Sequence, residues 1–228
     1  MTAPGGWAGS ARAGGPRRIE WVVLDVGETL IDETRVWTSW ALELGITPLT
    51  FGAALGVAIE SGRDHRSVFD LLGAPDWRHH AAAVEARYGG FRAEDLYPDA
   101  LPAVERLRTA GRKVAILANQ PAIRHPQLLA LGFRPDVIAM SEEMGVAKPD
   151  PAFFTRSLEL LGGPDPASVA YVGDRVDNDV VASRAAGFRP VWIRRGPWGR
   201  LQEDRAGDAE LTLWSLDELV ERLPELDG

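Results

Sequence analysis

WVVLDVGETLID, residues 21–32, opens as an apolar strand and closes in aspartate, glycine, glutamate and threonine. A short apolar run bounded by turn-forming residues is the pattern of a strand buried on both faces. Asp25 therefore stands at the carboxyl end of a strand, the edge at which open α/β sheets bind ligands. Working outward, the same pattern predicts strands at 19–25, 112–119, 136–141, 168–174 and 189–195. Helical periodicity fills the gaps between the later ones, in DALPAVERLRTAG, QPAIRHPQLLALG, DPAFFTRSLELLG and DNDVVASRAAG, with glycines as C-cap signals. Strand–helix alternation at this spacing implies βαβ units, hence an α/β fold with a doubly wound parallel sheet.

One segment breaks the alternation. From Glu33 to Leu96, about 64 residues, the patterns are helical only: ETRVWTSWALELG, TFGAALGVAIESG, HRSVFDLLG and DWRHHAAAVEARYGG. The expected organisation is a disordered lead-in over 1–18, a core over 19–32 and 97–228, and a small helical cap over 33–96. Leaving from the carboxyl end of the first strand, such an insert overhangs the ligand edge. Trp37 and Trp40 read as cap core, and Arg63, His65 and Arg66 as a solvated face. His79 and His80 lack metal-ligand spacing with any partner. WIRRGPWG, 192–199, reads as a strand leaving into a Gly/Pro loop, with Trp198 an exposed contact for another subunit.

The bulk properties narrow the partners. A formal charge of -8 provides no positive field for phosphate backbones, which argues against nucleic acid. No apolar run approaches the roughly 20 residues that span a bilayer, so no membrane partner is expected. The absence of cysteine removes disulfides, thiolate zinc sites and a cysteine nucleophile, and agrees with a cytoplasmic location. The first 18 residues lack the apolar stretch of a secretory signal. Oligomeric state is not readable from the sequence.

Asp174 ends another predicted strand and Asp179 follows at the start of a helix, so both approach the edge that carries Asp25. Three converging carboxylates repel one another unless a cation sits among them, and a magnesium-sized ion with oxygen ligands resolves the conflict. The competing reading makes Asp174, Asp177, Asn178 and Asp179 helix-capping residues. Lys148, in GVAKPDPAFF, is one of two lysines among 25 Lys and Arg residues. A compact point charge ahead of a rigid Pro-Asp-Pro turn suits neutralisation of phosphate or carboxylate; a solvated loop lysine is the competing reading.

DVGETL, ILAN, GVAKPDP and GDRVDND, in that order, resemble the haloacid dehalogenase-like hydrolase superfamily over nearly all of residues 19–222. The resemblance implies a doubly wound core with a helical cap and magnesium-dependent phosphatase chemistry through an aspartyl-phosphate. It implies Asp25 as nucleophile, Lys148 as the cation that neutralises Asp25 and a phosphate oxygen, and Asp25, Asp174, Asp179 and the Gly27 carbonyl as magnesium ligands. Thr29 and Asn119, with Lys148, are the implied contacts to a small phosphorylated substrate.

Two positions depart from the phosphatase pattern. Gly27 stands where most such enzymes carry a second aspartate that protonates the leaving oxygen, a function worth about 10²- to 10⁴-fold in rate. Ala118 replaces a hydroxyl that binds phosphate, a loss of roughly 1.5–3 kcal/mol. Three readings stay open: Glu28, displaced by one position, replaces the acid; the substrate has a good leaving group; or the protein is a catalytically weak ligand-binding or regulatory member. Among other chemistries of the superfamily, Ala118 and the acidic GDRVDND argue against haloacid dehalogenation. The lack of lysine in 33–96 argues against Schiff-base phosphonate hydrolysis, and Gly27 against mutase chemistry.

Overall fold

The computed structural model describes residues 18–202 and 207–228. The expected disordered lead-in therefore lies, except for Arg18, outside the described residues. Among the described residues six parallel strands form one sheet in the order β3-β2-β1-β4-β5-β6, with β1 at Trp21–Leu24, β2 at Lys113–Ala118, β3 at Val137–Met140, β4 at Val169–Gly173, β5 at Arg189–Ile193 and β6 at Leu211–Leu213. Five of these fall inside the predicted spans. The sixth is an addition: LTL is three residues long with its central Thr212 exposed, too short for a periodicity signal, and it pairs only with β5 at the edge.

The two faces of the sheet are read directly from β1. Val22 and Leu24 join one apolar cluster with Ala103 and Leu107 of α5 (Ala100–Thr109) and Leu216 and Leu219 of α11 (Leu216–Arg222). Trp21 and Val23 join the opposite cluster with Phe153 and Phe154 of α8 (Pro151–Leu160) and Phe188. Alternating residues of one strand are thus buried against helices on opposite faces, as a doubly wound sheet requires.

Residues 33–96 hold no strand, only a bridge at Leu96, and form α1 (Thr34–Glu43), α2 (Pro48–Glu60), α3 (Ser67–Leu71) and α4 (Ala81–Tyr88) with short 3-10 turns. These helices have their own apolar cluster, built on Phe51, Leu55, Ile59, Phe69 and the half-buried Trp37 and Trp40. Trp198 corrects the sequence reading. The GPWG segment is not a loop but helix α10 (Gly196–Leu201), and Trp198 is buried in that same cluster, 6.2 Å from the Trp37 ring. Glycine and proline at the first helical positions disguised the helix as a turn. His65 is likewise not on a solvated face: it packs against Trp37 and Trp198 and receives a hydrogen bond at Nδ1 from Arg175 at 3.3 Å. On the other flank Arg124, at the start of α6 (Arg124–Ala130), pairs with Glu85 of α4 at 2.5 Å. Among the described residues no single helix is long and apolar enough to cross a membrane.

Candidate active site

β1 and β4 are neighbours, and their register sets Leu24 against Val172. Asp25 and Asp174 therefore leave the sheet side by side, Asp25 directly after β1 and Asp174 directly after Gly173, on either side of the point where strand order reverses. This switch point is where open α/β sheets bind ligands. Asp179 reaches the same place from a π-helical turn, Val176–Val181, that starts after Arg175. Its backbone N–H donates to the Arg175 carbonyl at 2.8 Å, and its Oδ2 accepts from the Arg175 N–H at 3.0 Å, which folds the carboxylate back over Gly173. A Cβ on Gly173 would stand 2.7 Å from the Cβ of Asp179, so the strand must end in glycine for that carboxylate to arrive.

Lys148 comes from the loop before α8, and its side chain is buried with Nζ 2.8 Å from Asp25 Oδ1 and 2.5 Å from Asp179 Oδ1. The ammonium also lies over the Tyr171 ring, 5.1 Å from its centroid. Burial alone would discharge this lysine, but Asp179 and Asp25 outweigh it and hold the ammonium well above its usual range. Asn119, at the end of β2, fixes the loop reciprocally: its Nδ2 donates to the Lys148 carbonyl and its Oδ1 accepts from the Lys148 N–H, both at 2.8 Å. The Asn119 side chain is thereby spent on positioning Lys148.

One ligand oxygen from each of Asp25, Asp174 and Asp179 lies within 4.8 Å of the others. All three groups are buried. With Lys148 as their one contacting ammonium, the ionised cluster retains two negative charges. Oδ2 of Asp174 is buried without a partner among the described residues, a costly arrangement for a carboxylate. Burial first, then the neighbouring carboxylates, push Asp174 well above the usual range; burial also leads the rise of Asp179, to about 6, against the pull of Lys148. An oxygen-only donor set, an orphaned carboxylate oxygen and an excess of two negative charges fit a hard divalent cation.

Other residues singled out in the sequence lie farther from this cluster or serve other bonds. Ala118 is buried at the end of β2 and offers no hydroxyl. Thr29 is fully buried; its carbonyl accepts from Arg195 at 2.8 Å, and its hydroxyl has no partner among the described residues. Glu28 adopts a positive φ of 52°, uncommon for a residue other than glycine, and its carboxyl lies against Gly196. There its Oε2 accepts from the Tyr97 hydroxyl at 2.6 Å and its Oε1 from the Glu33 N–H at 3.1 Å. Burial raises Glu28 to about 7 despite these two donors.

Glu33 was not singled out. It precedes α1, and its Oε1 accepts from Gln120 Nε2 at 3.1 Å. Burial, then the charges of Glu28 and Asp25, raise it to about 8. A Cβ added to Gly27 would stand 2.5 Å from Glu33 Oε1 and 2.7 Å from its Cδ. No local motif connects positions 27 and 33; the turn between them, with the Glu28 N–H bonded to the Ile31 carbonyl at 2.7 Å, makes them neighbours.

A family profile described as haloacid dehalogenase-like hydrolase matches residues 19–187. The chain belongs to the haloacid dehalogenase-like hydrolases. It is 35% identical over 167 residues to a glyceraldehyde 3-phosphate phosphatase of Methanopyrus kandleri, covering 68% of this chain and 71% of that protein. It is also 35% identical over 127 residues to a phosphoserine phosphatase of Thermus thermophilus, covering 54% of this chain and 50% of that protein. Among solved structures, a family hydrolase from Deinococcus radiodurans, crystallised with phosphate and sodium, superposes with a TM-score of 0.70 at 22% identity, over 92% of this chain and 97% of that one. This haloacid dehalogenase-like chain is thus a hydrolytic enzyme with relatives named as phosphatases, on the Rossmann-like fold read from its sequence.

Proposed function

We propose that the protein is a magnesium-dependent phosphatase that hydrolyses a small phosphorylated metabolite through an aspartyl-phosphate on Asp25. The observation that carries this reading is the buried group of Asp25, Asp174, Asp179 and Lys148 at the switch point, with its excess of two negative charges and its orphaned Asp174 oxygen. Asp25, Asp174 and Asp179, with the Gly27 carbonyl, would hold the ion; bound there, it neutralises the carboxylates and withdraws charge from the phosphoryl oxygens.

Asp25 acts as nucleophile, oriented by the Lys148 ammonium on Oδ1. Lys148 also supplies positive charge for a phosphate oxygen, and Asn119 holds the lysine in register. Within the Gly27–Thr29 turn the Glu28 and Thr29 N–H groups already bond the Ile31 and Val26 carbonyls, which leaves the Gly27 N–H to approach the phosphoryl group; the Thr29 hydroxyl has no partner among the described residues. Residues 33–96 serve as the cap, anchored through Trp198, through His65 with Arg175, and through Glu85 with Arg124. A small substrate fits such a covered site better than a polymer, and the net negative chain disfavours polyanions. A cytoplasmic location belongs to the same proposal.

The test is a panel of small phosphomonoesters with magnesium, comparing wild type with Asp25→Asn. Turnover of one or more esters by wild type, abolished in the variant, supports the phosphatase. Flat rates across the panel for both proteins overturn it and favour the weak binding member.

A further inference from the structure

Gly27 leaves the reaction without the second aspartate of the phosphatase pattern, yet the space for that side chain is filled. Residue 27 follows Asp25 by two positions, just past the end of β1 and a bend at Val26, and Gly27 forms a β-type bridge with Ile31. A Cβ at position 27 would stand 2.5 Å from Glu33 Oε1, so the carboxyl group of Glu33 occupies the volume of the missing side chain. Gln120 Nε2 donates to Oε1 at 3.1 Å, while Oε2 has no hydrogen-bond partner among the described residues. Glu28, the nearer acid in sequence, has its carboxyl against Gly196, and both of its oxygens are engaged by Tyr97 and the Glu33 N–H.

We propose that Glu33, brought in from the start of the helical segment, is the proton donor and acceptor of the reaction in place of a residue at position 27. The inference rests on the phosphatase reading above. In the first half, an Asp25 oxygen forms a bond to phosphorus, the phosphorus–ester oxygen bond breaks with its electron pair on the leaving oxygen, and that oxygen takes the Glu33 proton. In the second half, the Glu33 carboxylate takes a proton from water, the water oxygen bonds to phosphorus, and the phosphorus–Asp25 bond breaks to give inorganic phosphate and free Asp25. Each half leaves Glu33 in the state the other half needs.

The test compares wild type, Glu33→Gln and the double variant Gly27→Asp with Glu33→Ala on alkyl and nitrophenyl phosphates with magnesium. Glu33→Gln is expected to lower alkyl ester turnover by about 10²- to 10⁴-fold while sparing the first release of nitrophenol. Its phosphoenzyme then accumulates, because water is no longer activated. The double variant, with the volume at position 27 vacated, is expected to recover at least tenfold of the lost alkyl activity. Magnesium uptake by calorimetry stays at the wild-type value in Glu33→Gln. A purely structural Glu33 would lower all esters equally with no phosphoenzyme, and that result overturns the proposal, as does lost magnesium uptake. Wild-type rates in Glu33→Gln, with an active wild type, overturn the Glu33 assignment alone. A wild type inert on every ester overturns the phosphatase reading and this inference together.

Discussion

At the scale of single residues, the site is governed by which charges are matched where water is absent. Lys148 stays charged because two aspartates face it, and Asp174 carries the mismatch through an oxygen with no partner. His65 is the opposite case. Burial first, then the Arg175 guanidinium, lower it to about 4, against the smaller opposing influence of Asp64 and Asp177 and with Arg66 adding to the depression. Its neutral ring accepts from Arg175 and packs between two tryptophans. The unfolded chain binds a proton at this histidine near pH 6.5, the folded one only near pH 4, so its contribution is complete above about 6.5 and falls as pH drops toward 4. Over pH 7 to 5 the wild type should lose on the order of 1 kcal/mol more stability than His65→Gln, which keeps an acceptor for Arg175 without titrating. Urea unfolding at the two pH values measures the difference; parallel losses in both proteins would contradict it.

At the scale of elements, the attachment of the helical segment depends on α10. Trp198 belongs by sequence to the sheet's side of the molecule and by packing to the apolar cluster of α1–α3. Truncating a buried tryptophan to alanine costs about 3–5 kcal/mol. Trp198→Ala should lower stability by that order in urea unfolding and make residues 34–96 the first cleaved in limited proteolysis. Cleavage spread evenly along the chain would show that α10 is not the anchor. The same helix marks where the sequence stopped being informative. Buried parallel strands announce themselves by composition, because both faces must be apolar, so β1 to β5 and the edge carrying Asp25 and Asp174 were legible. The strandless stretch after β1 was legible for a similar reason, since a period near 3.6 over successive stretches has no strand counterpart. Helix α10 was not, because Gly196 and Pro197 are equally good turn residues, and β6 was not, because three residues carry no period. At the site, the acidic residues, the lysine and their order along the chain were visible, but the contact of Glu33 with Gly27 was not: it is made by the turn, and turns bring residues together without leaving a periodic trace.

At the scale of the whole molecule, sheet order explains why residues so far apart in sequence act together. β1 and β4 abut at the reversal of strand order, so carboxylates separated by more than half of the chain emerge with oxygens within 4.8 Å of one another, and Asn119 at the end of the adjacent β2 fixes the lysine between them. For a chain of net charge -8, the proposed anionic substrate would need the field locally reversed, by Lys148 and the proposed divalent ion. The phosphatase proposed above has one direct chemical consequence: the transferred phosphoryl group would pass through Asp25. Acid quenching of the enzyme during turnover of a reactive phosphoester, followed by peptide mapping, tests it. The account predicts one added phosphoryl group on the peptide that contains Asp25, present with magnesium and absent with chelator or in Asp25→Asn. Turnover with no labelled peptide, or a label carried by another residue, would contradict it.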